Sequence, residues 1–280
     1  MRVDLHCHST HSDGSLPASE VAARAGAGGV TLFALTDHDT LAGYAATRAT
    51  LPDSVAVLRA VELSCKAEGR TVHLLMYGVE EGSGLAALEG RLAEVQEDRQ
   101  TRLRAIVERL ARLGVRLDAE EILRETVGRT PGRPDVARAL VAAGAVRSAR
   151  EAFDRYLHDN GPADVAFARV TLSEGLALGR AAGARMSLAH PHTMRSQALV
   201  GEVMRRHKPE GLEGIEAYYG RYPQAEREQW LRMAEAQGLV VTGGSDFHGE
   251  SMPEVTRPVI ELPEPHAGRL CAWLGVSRAA

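Results

Sequence analysis

The sequence predicts an α/β fold in which parallel strands and helices alternate as in a barrel, with an all-helical segment set into the middle. Three observations lead there. Short apolar runs alternate with helical periods over both ends of the chain. Histidine, aspartate and glutamate recur just past the carboxyl ends of those runs, where parallel βα barrels gather their functional groups. Residues 83–157 carry helical spacing alone.

The elements follow in order. Residues 2–7 read as a strand, leading to a helix near 17–28 in which Pro17 suits the first turn and Glu20 the positive end of the helix dipole. A strand at 30–36 precedes a short helix at 41–49, and strands near 55–62 and 70–78 follow with no long helix between them. Apolar residues then recur at helical spacing (Leu88, Leu92, Val95, then Leu103, Ile106, Val107, Leu110), giving one or two helices over 83–114 that stop at Gly114. Short helices are expected near 118–126, 134–144 and 148–157. Alternation resumes with helix 172–182, strand 185–189, helix 196–207, strand 212–217, helix 223–237 and strand 239–243, and 264–276 reads as a last helix. The expected domains are a barrel of 1–82 plus 158–280 and a helical insertion of 83–157.

Composition narrows the function. With 33 Lys and Arg against 37 Asp and Glu, the net charge of −4 argues against an extended nucleic-acid surface. Aromatic residues are 4%, too few for a base-stacking platform. The three cysteines Cys7, Cys65 and Cys271 are widely spaced and fit reduced thiols in a cytoplasm. No apolar run approaches the roughly 20 residues of a membrane span, no leader pattern is visible, and no obligate protein partner is evident.

The motif HCHSTHSDG carries the chemistry. His6 and His8 are two apart on a strand, so both imidazoles face one spot. A turn at Gly14 would bring Asp13 back toward it. Imidazoles with a carboxylate on a strand end suit Mn, Fe or Zn. The theme repeats: TLFALTDHDT ends a run with Asp37, His38 and Asp39, SLAHPH with His190 and His192, and LVVTGGSDFHG with Asp246 and His248. Glu62 ends the Val55–Val61 run, and His73 lies within Thr71–Tyr77. Cys7, between the two histidines, should point to the opposite strand face.

HCHSTHSDG, TDHD, the Val61-Glu62 step, His190-Pro191 and GSDFH, in that order, resemble the motifs of the PHP (polymerase and histidinol phosphatase) superfamily of metal-dependent phosphoesterases over residues 1 to about 250. The resemblance is nearest to stand-alone members acting on nucleoside 3′,5′-bisphosphates or RNA 5′ ends. It implies a distorted (β/α)7 TIM-like barrel and two or three divalent ions, Mn²⁺ favoured, with Zn²⁺, Fe²⁺ or Mg²⁺ as alternatives. It implies one position from His6, His8, Glu62 and Asp246, a second from Asp13, His38 and His248, and a third from Glu62, His73 and His190, with Glu62 bridging. Asp13 stands where many relatives have histidine, which favours Mn²⁺ or Mg²⁺ over Zn²⁺.

The resemblance further implies hydrolysis by metal-activated hydroxide, with Asp246 at its centre. His192 is expected to hydrogen-bond substrate or protonate the leaving oxygen. Asp37 is expected to orient an imidazole, Asp39 to cap the next helix, and His11 to be a solvated loop residue. In GRTPGRPDVARAL, Arg133 and Arg138 match an arginine pair that binds a second phosphate in relatives, and the insertion would then cap the substrate. Two departures stand out: Gly161-Pro162-Ala163 lacks a lysine seen in relatives, and Glu216 is followed by AYYGRYP, where Tyr218 is the candidate for base stacking or a phosphate contact. The expected partner is a small phosphorylated nucleotide or short RNA end. Histidinol phosphate or another small phosphomonoester is the alternative substrate, and a non-catalytic metal-binding module the other reading.

Overall fold

The computed structural model describes residues 1–158, 160–165 and 170–277. The chain divides into two compact units, Met1–Gly90 with Arg169–Ala280, and Arg91–Ala168.

The first unit is a mixed α/β structure with two sheets. In the smaller, β1 (Arg2–Asp4) pairs in parallel with β2 (Leu32–Phe33), β2 with β3 (Ala56–Val57), and the late strand Ile260–Glu261 (β10) runs antiparallel to β1. The larger has the order β6-β4-β5-β7-β8-β9, from β4 (Ala60–Ala67), β5 (Arg70–Tyr77), β6 (Val170–Thr171), β7 (Arg185–Leu188), β8 (Leu212–Tyr219) and β9 (Val240–Gly244). The sheets meet at two places. Leu5 N donates to Gly243 O at 3.2 Å and Cys7 bridges Phe247, while His38 bridges Glu62. Both meetings lie where the motif residues are.

The strand direction differs from the all-parallel expectation at β5, which runs antiparallel to β4 and β7. The cause is local. Glu68 and Gly69 both adopt positive φ (48° and 74°) between the paired Ala67 and Arg70, the backbone of a two-residue hairpin. The run 55–62 also splits into β3 and β4, so Glu62 is the third residue of a strand and not its end. Strands β6 and β10 have two residues each and no periodicity to reveal them.

The helices α1 (Ala18–Ala27), α2 (Tyr44–Thr50), α7 (Leu172–Ala181), α8 (Gln197–His207), α9 (Gln224–Gln237) and α10 (His266–Leu274) belong to the first unit. Thr171 and Glu174 cap α7 reciprocally, Ser196 caps α8, and left-handed Gly238 and Gly275 end α9 and α10. The face of α1 that carries Ala18, Val21, Ala22 and Ala25 is buried in one cluster with Cys7, Phe33 and Phe247.

The second unit is helical: the greater part of α3 (Ser83–Arg112), then α4 (Ala119–Arg124), α5 (Arg133–Ala142) and α6 (Ala149–Ala152), which runs on into a π-turn at Phe153–Leu157. Leu103, Ile106, Leu110, Ile122, Val136 and Leu140 share its core. Asp118 caps α4 and Ser148 caps α6.

Gly244, the last residue of β9, packs directly on His6, just after β1: a Cβ there would lie 2.3 Å from His6 Cβ and 2.4 Å from His6 N. Gly244→Ala is therefore expected to cost roughly 1–3 kcal/mol, several degrees in a thermal melt. Gly90→Ala, in α3 with open space around the added carbon, should instead gain about 0.5–1 kcal/mol. Equal melting temperatures for both variants would remove the packing argument.

Candidate metal centre

Strand ends of the first unit deliver the side chains. His6 and His8 follow β1 on one face, while Cys7 turns the other way, its Sγ 3.7 Å from Ala34 O. Asp13 is returned by a tight turn in which Ser12 N and Gly14 N both donate to Ser9 O, at 3.1 and 3.0 Å. A Cβ on Gly14 would sit 2.6 Å from His8 O, so glycine alone lets the turn close this tightly. Glu62 and His73 come from the β4–β5 hairpin, His190 from the end of β7, and Asp246 and His248 from the end of β9.

Glu62 is the hub. Its carboxylate is fully buried and meets five imidazoles: Oε2 lies 3.3 Å from His6 Nε2, 3.2 Å from His8 Nε2 and 2.9 Å from His38 Nδ1, and Oε1 lies 2.8 Å from His73 Nδ1 and 2.9 Å from His190 Nε2. Asp246 Oδ1 stands 3.4, 3.3 and 3.6 Å from His6, His8 and His248. Asp13 reaches His248 at 3.3 Å and His8 and His38 at 3.6 Å. All nine residues singled out as ligand types are thus brought together. Four overlapping groups of them have donor atoms mutually within 4.8 Å: His8, Asp13, His38 and His248; His6, His8 and Asp246; His6, Glu62 and His190; His38, Glu62 and His73.

The donor set fits divalent cations. His6 Nε2, His8 Nε2 and Glu62 Oε2 are buried and close together, yet make no directed hydrogen bond. Lone pairs aimed at a common centre behave this way, and an unsatisfied buried polar group is otherwise costly. The charges agree. Burial disfavours ionisation, but His248 and His38 beside Asp13, His38 and His6 beside Glu62, and His6 and His248 beside Asp246 hold these carboxyls well below the usual range. The same carboxylates outweigh burial at His8 and push it up to about 10. His73, buried beside His38 and His190, falls to about 4 despite Glu62. Three carboxylates this close together, two of them buried, require positive charge.

Neighbours set the orientation. Glu216, fully buried on β8, lies 3.0 Å from His6 Nδ1 and accepts from His190 N at 2.7 Å. A proton on His6 Nδ1 given to Glu216 leaves Nε2 bare toward the cluster. His248 Nδ1 is fixed in the same manner by Asp246 O at 2.8 Å. His190 and Asp246 adopt φ of 24° and 54°, strained for such residues and frequent at functional sites. Glu216 escaped the motif reading, although an acid between Ile215 and Ala217 in the apolar stretch of β8 was a usable signal.

One expected role acts through an intermediary and one changes. Asp37 anchors the loop, accepting from Ser9 N and Ser9 Oγ at 2.7 Å and from Ser12 Oγ at 2.6 Å, and it reaches an imidazole through Ser12, whose Oγ lies 3.3 Å from His8 Nδ1. Asp39 caps no helix, because α2 begins only at Tyr44, and its Oδ1 accepts from Ser64 N at 2.7 Å.

Tyr218 turns away from the cluster. Strict alternation would place it on the face of Glu216, but β8 slips register between Glu216 and Tyr218. Tyr219 takes the place, its hydroxyl donating to Asp246 Oδ2 at 2.6 Å. Arg221 donates to that hydroxyl from Nε at 3.1 Å, with Nη2 3.6 Å from Asp246 Oδ2. His192 stands beside His190, ring centroids 6.1 Å apart, with Nδ1 3.0 Å from Tyr222 Oη; burial, His190 and Arg221 lower its pKa to about 4. Arg133 and Arg138 lie in the second unit. Arg133 donates to Leu157 O at 2.9 Å and sits over the Phe153 ring, and Arg138 pairs with Asp135.

No protein-family model matches the chain. Individual relatives do. A 3′,5′-nucleoside bisphosphate phosphatase of Chromobacterium violaceum is 30% identical over 92% of this chain and 94% of its own. A phosphoribosyl 1,2-cyclic phosphate 1,2-diphosphodiesterase of Eggerthella lenta is 33% identical over 88% and 94%. A 5′-3′ exoribonuclease of Haemophilus influenzae is 31% identical over 88% and 90%. Among solved structures, a C. violaceum amidohydrolase with bound sulfate and no metal superposes with a TM-score of 0.85 at 30% identity, covering 97% of this chain and 96% of its own. A Bifidobacterium adolescentis protein assigned as a metal-dependent phosphoesterase superposes at 0.82 and 25% identity, with the same coverage. The chain belongs to the PHP family of metal-dependent phosphoesterases. As a PHP protein it is a phosphoric ester hydrolase.

Asp37 ties down the loop that presents His8 and Asp13. Asp37→Ala leaves Ser9 N–H buried without its acceptor, at about 1–3 kcal/mol. The expected outcome is a lower melting temperature in chelator, where cations do not contribute. An unchanged melt would show that the loop holds itself.

Proposed function

We propose that His6, His8, Asp13, His38, Glu62, His73, His190, Asp246 and His248 hold two or three divalent ions, Mn²⁺ favoured, and that the protein hydrolyses phosphate from nucleotides: nucleoside 3′,5′-bisphosphates or short RNA from the 5′ end. The observation that carries this is the buried Glu62 carboxylate with its converging, undirected imidazole nitrogens. Asp13 adds an oxygen donor to one group, which supports a harder cation. The substrate class is supported by the relatives named a nucleoside bisphosphate phosphatase and an exoribonuclease.

Such ions activate water and neutralise phosphoryl oxygens. The protein's own groups do the rest. Tyr219 and Glu216 hold Asp246 and His6 in place. Arg221, whose side chain is 36% exposed, sets a guanidinium beside Asp246 where phosphoryl oxygens would lie. His192 supplies a hydrogen bond to substrate. Arg133 and Arg138 remain the candidates for a second phosphate, with the helical segment 83–157 as substrate cap. The meeting of the two sheets at β1–β9 and near Glu62 supports a distorted (β/α)7 barrel. The burial of all three cysteines supports a cytoplasmic location, and among the described residues no helix is long and apolar enough to cross a membrane.

The deciding assay compares a nucleoside 3′,5′-bisphosphate, histidinol phosphate and short 5′-phosphorylated RNA on untagged, metal-loaded protein. Two or three metal equivalents and a preference for the bisphosphate or the RNA are expected. Less than one equivalent, with no uptake from added Mn²⁺, would falsify the reading. Asp246→Ala and His8→Ala should each lower turnover on the order of a hundredfold or more. Near-normal turnover in either would place the chemistry elsewhere. Arg133→Ala and Arg138→Ala should raise KM for the bisphosphate roughly ten- to a hundredfold and leave KM for an aryl phosphate unchanged. Equal losses on both would assign these arginines to the fold.

A further inference from the structure

On the other side of Tyr218 lies a cavity of about 550 Å³ in the first unit, lined among others by Arg2, Tyr218, Arg227, Arg257, Val259 and Glu261. Three guanidiniums face one carboxylate there, a net charge of +2 (3 − 1). Only Arg2 is near that carboxylate, with Nε 4.0 Å from Glu261 Oε1, and it also donates to Gly28 O at 3.1 Å. Arg227 lies over the Tyr218 ring, 4.9 Å from its centroid, and its buried Nε meets no acceptor. Among the described residues Arg257 makes no ion pair. Arginines on an ordinary surface find carboxylates or water. Here two lack a carboxylate, and one of these has a buried donor left over.

The wall that carries Arg257 is held rigidly and under strain. Val259 adopts φ of 85°, an outlier for a β-branched residue. Its N–H donates to Asp4 Oδ2 at 2.8 Å, and the fully buried Asp4 is itself bound by Ser245 N and Oγ at 2.9 and 2.6 Å. Strain of this kind persists only where the surroundings impose it, and it gathers at ligand-holding segments.

We propose that this cavity is a second, non-catalytic site for a phosphomonoester of nucleoside-monophosphate size. Planar guanidinium forks match phosphate oxygens. The net charge of the lining matches a phosphomonoester dianion. The volume suits a small organic molecule and exceeds what a bare ion needs. None of the nine cluster residues lines the cavity; Tyr219 borders it and turns its hydroxyl to Asp246, so the arginines that would hold the phosphate belong to this site and not to the metal cluster.

Equilibrium dialysis with adenosine 5′-monophosphate tests this, first on metal-loaded protein and then in chelator. One bound equivalent should survive chelation, be displaced by inorganic phosphate and not by adenosine, and weaken about tenfold to a hundredfold in both Arg227→Gln and Arg257→Gln. Circular dichroism and aryl phosphate turnover with Mn²⁺ restored should match wild type in both variants. Arg257 is exposed, so that variant keeps the test valid if Arg227→Gln misfolds. No chelation-resistant equivalent, one displaced equally well by adenosine, or one undiminished in a folded variant would overturn the proposal. Loss of turnover in either folded variant would also overturn it, because the site would then not be separate from the chemistry, whereas a metal-loaded wild type with no phosphatase activity would count against the metal reading and leave this site standing.

Discussion

A fully buried carboxylate surrounded by five imidazoles is the constraint around which the first unit is built. Glu62 cannot sit at zero exposure without positive charge or hydrogen-bond donors on both oxygens. The chain answers by bringing histidines from the segment after β1, from the loop after β2, from β5 and from the end of β7 to within 3.3 Å of it. The same crowding leaves nitrogens aimed inward with no directed partner, which is the state a cation relieves. Structure and chemistry therefore share one cause, and the strained φ values at His190 and Asp246 mark where the backbone bends to serve it.

Around that cluster a shell of buried acids does mechanical work. Glu216 holds His6 and the backbone of His190, Asp37 holds the loop of Ser9 and Ser12, and Asp4 ties β1 to Ser245 and Val259. Each satisfies buried N–H groups at strand ends, where no ladder partner exists. Close backbone approach finishes the arrangement: Gly244 against His6 and Gly14 against His8 leave no room for a Cβ.

The helical stretch was plain in the sequence because its apolar residues repeat with a single period over three or more turns, as from Leu103 to Leu110. The nine ligand-type residues were plain because aspartate, glutamate and histidine are rare at the ends of apolar strands. Two-residue strands such as β6 and β10 carry no period and stayed invisible. Asp37 and Asp39 were read as neighbours of His38 in sequence, but their acceptors serve segments brought near by folding, Ser9 and Ser64.

The sequence by itself determined which chemistry this protein carries, since the ligand types and their strand-end spacing are properties of local order. It also determined where helices start and stop, through residues such as Ser196 at the start of α8 and Gly238 and Gly275 at the ends of α9 and α10. Tertiary structure alone decided which tyrosine meets the cluster. A one-residue slip in β8 changes which side chain faces the cluster, so the Tyr219 hydroxyl reaches Asp246 while the Tyr218 ring lies against Arg227. It also decided that Arg221 and Glu216 join the site, because their partners, Asp246 and His6 respectively, are 25 and 210 residues away along the chain, a separation that the register of β1, β8 and β9 closes.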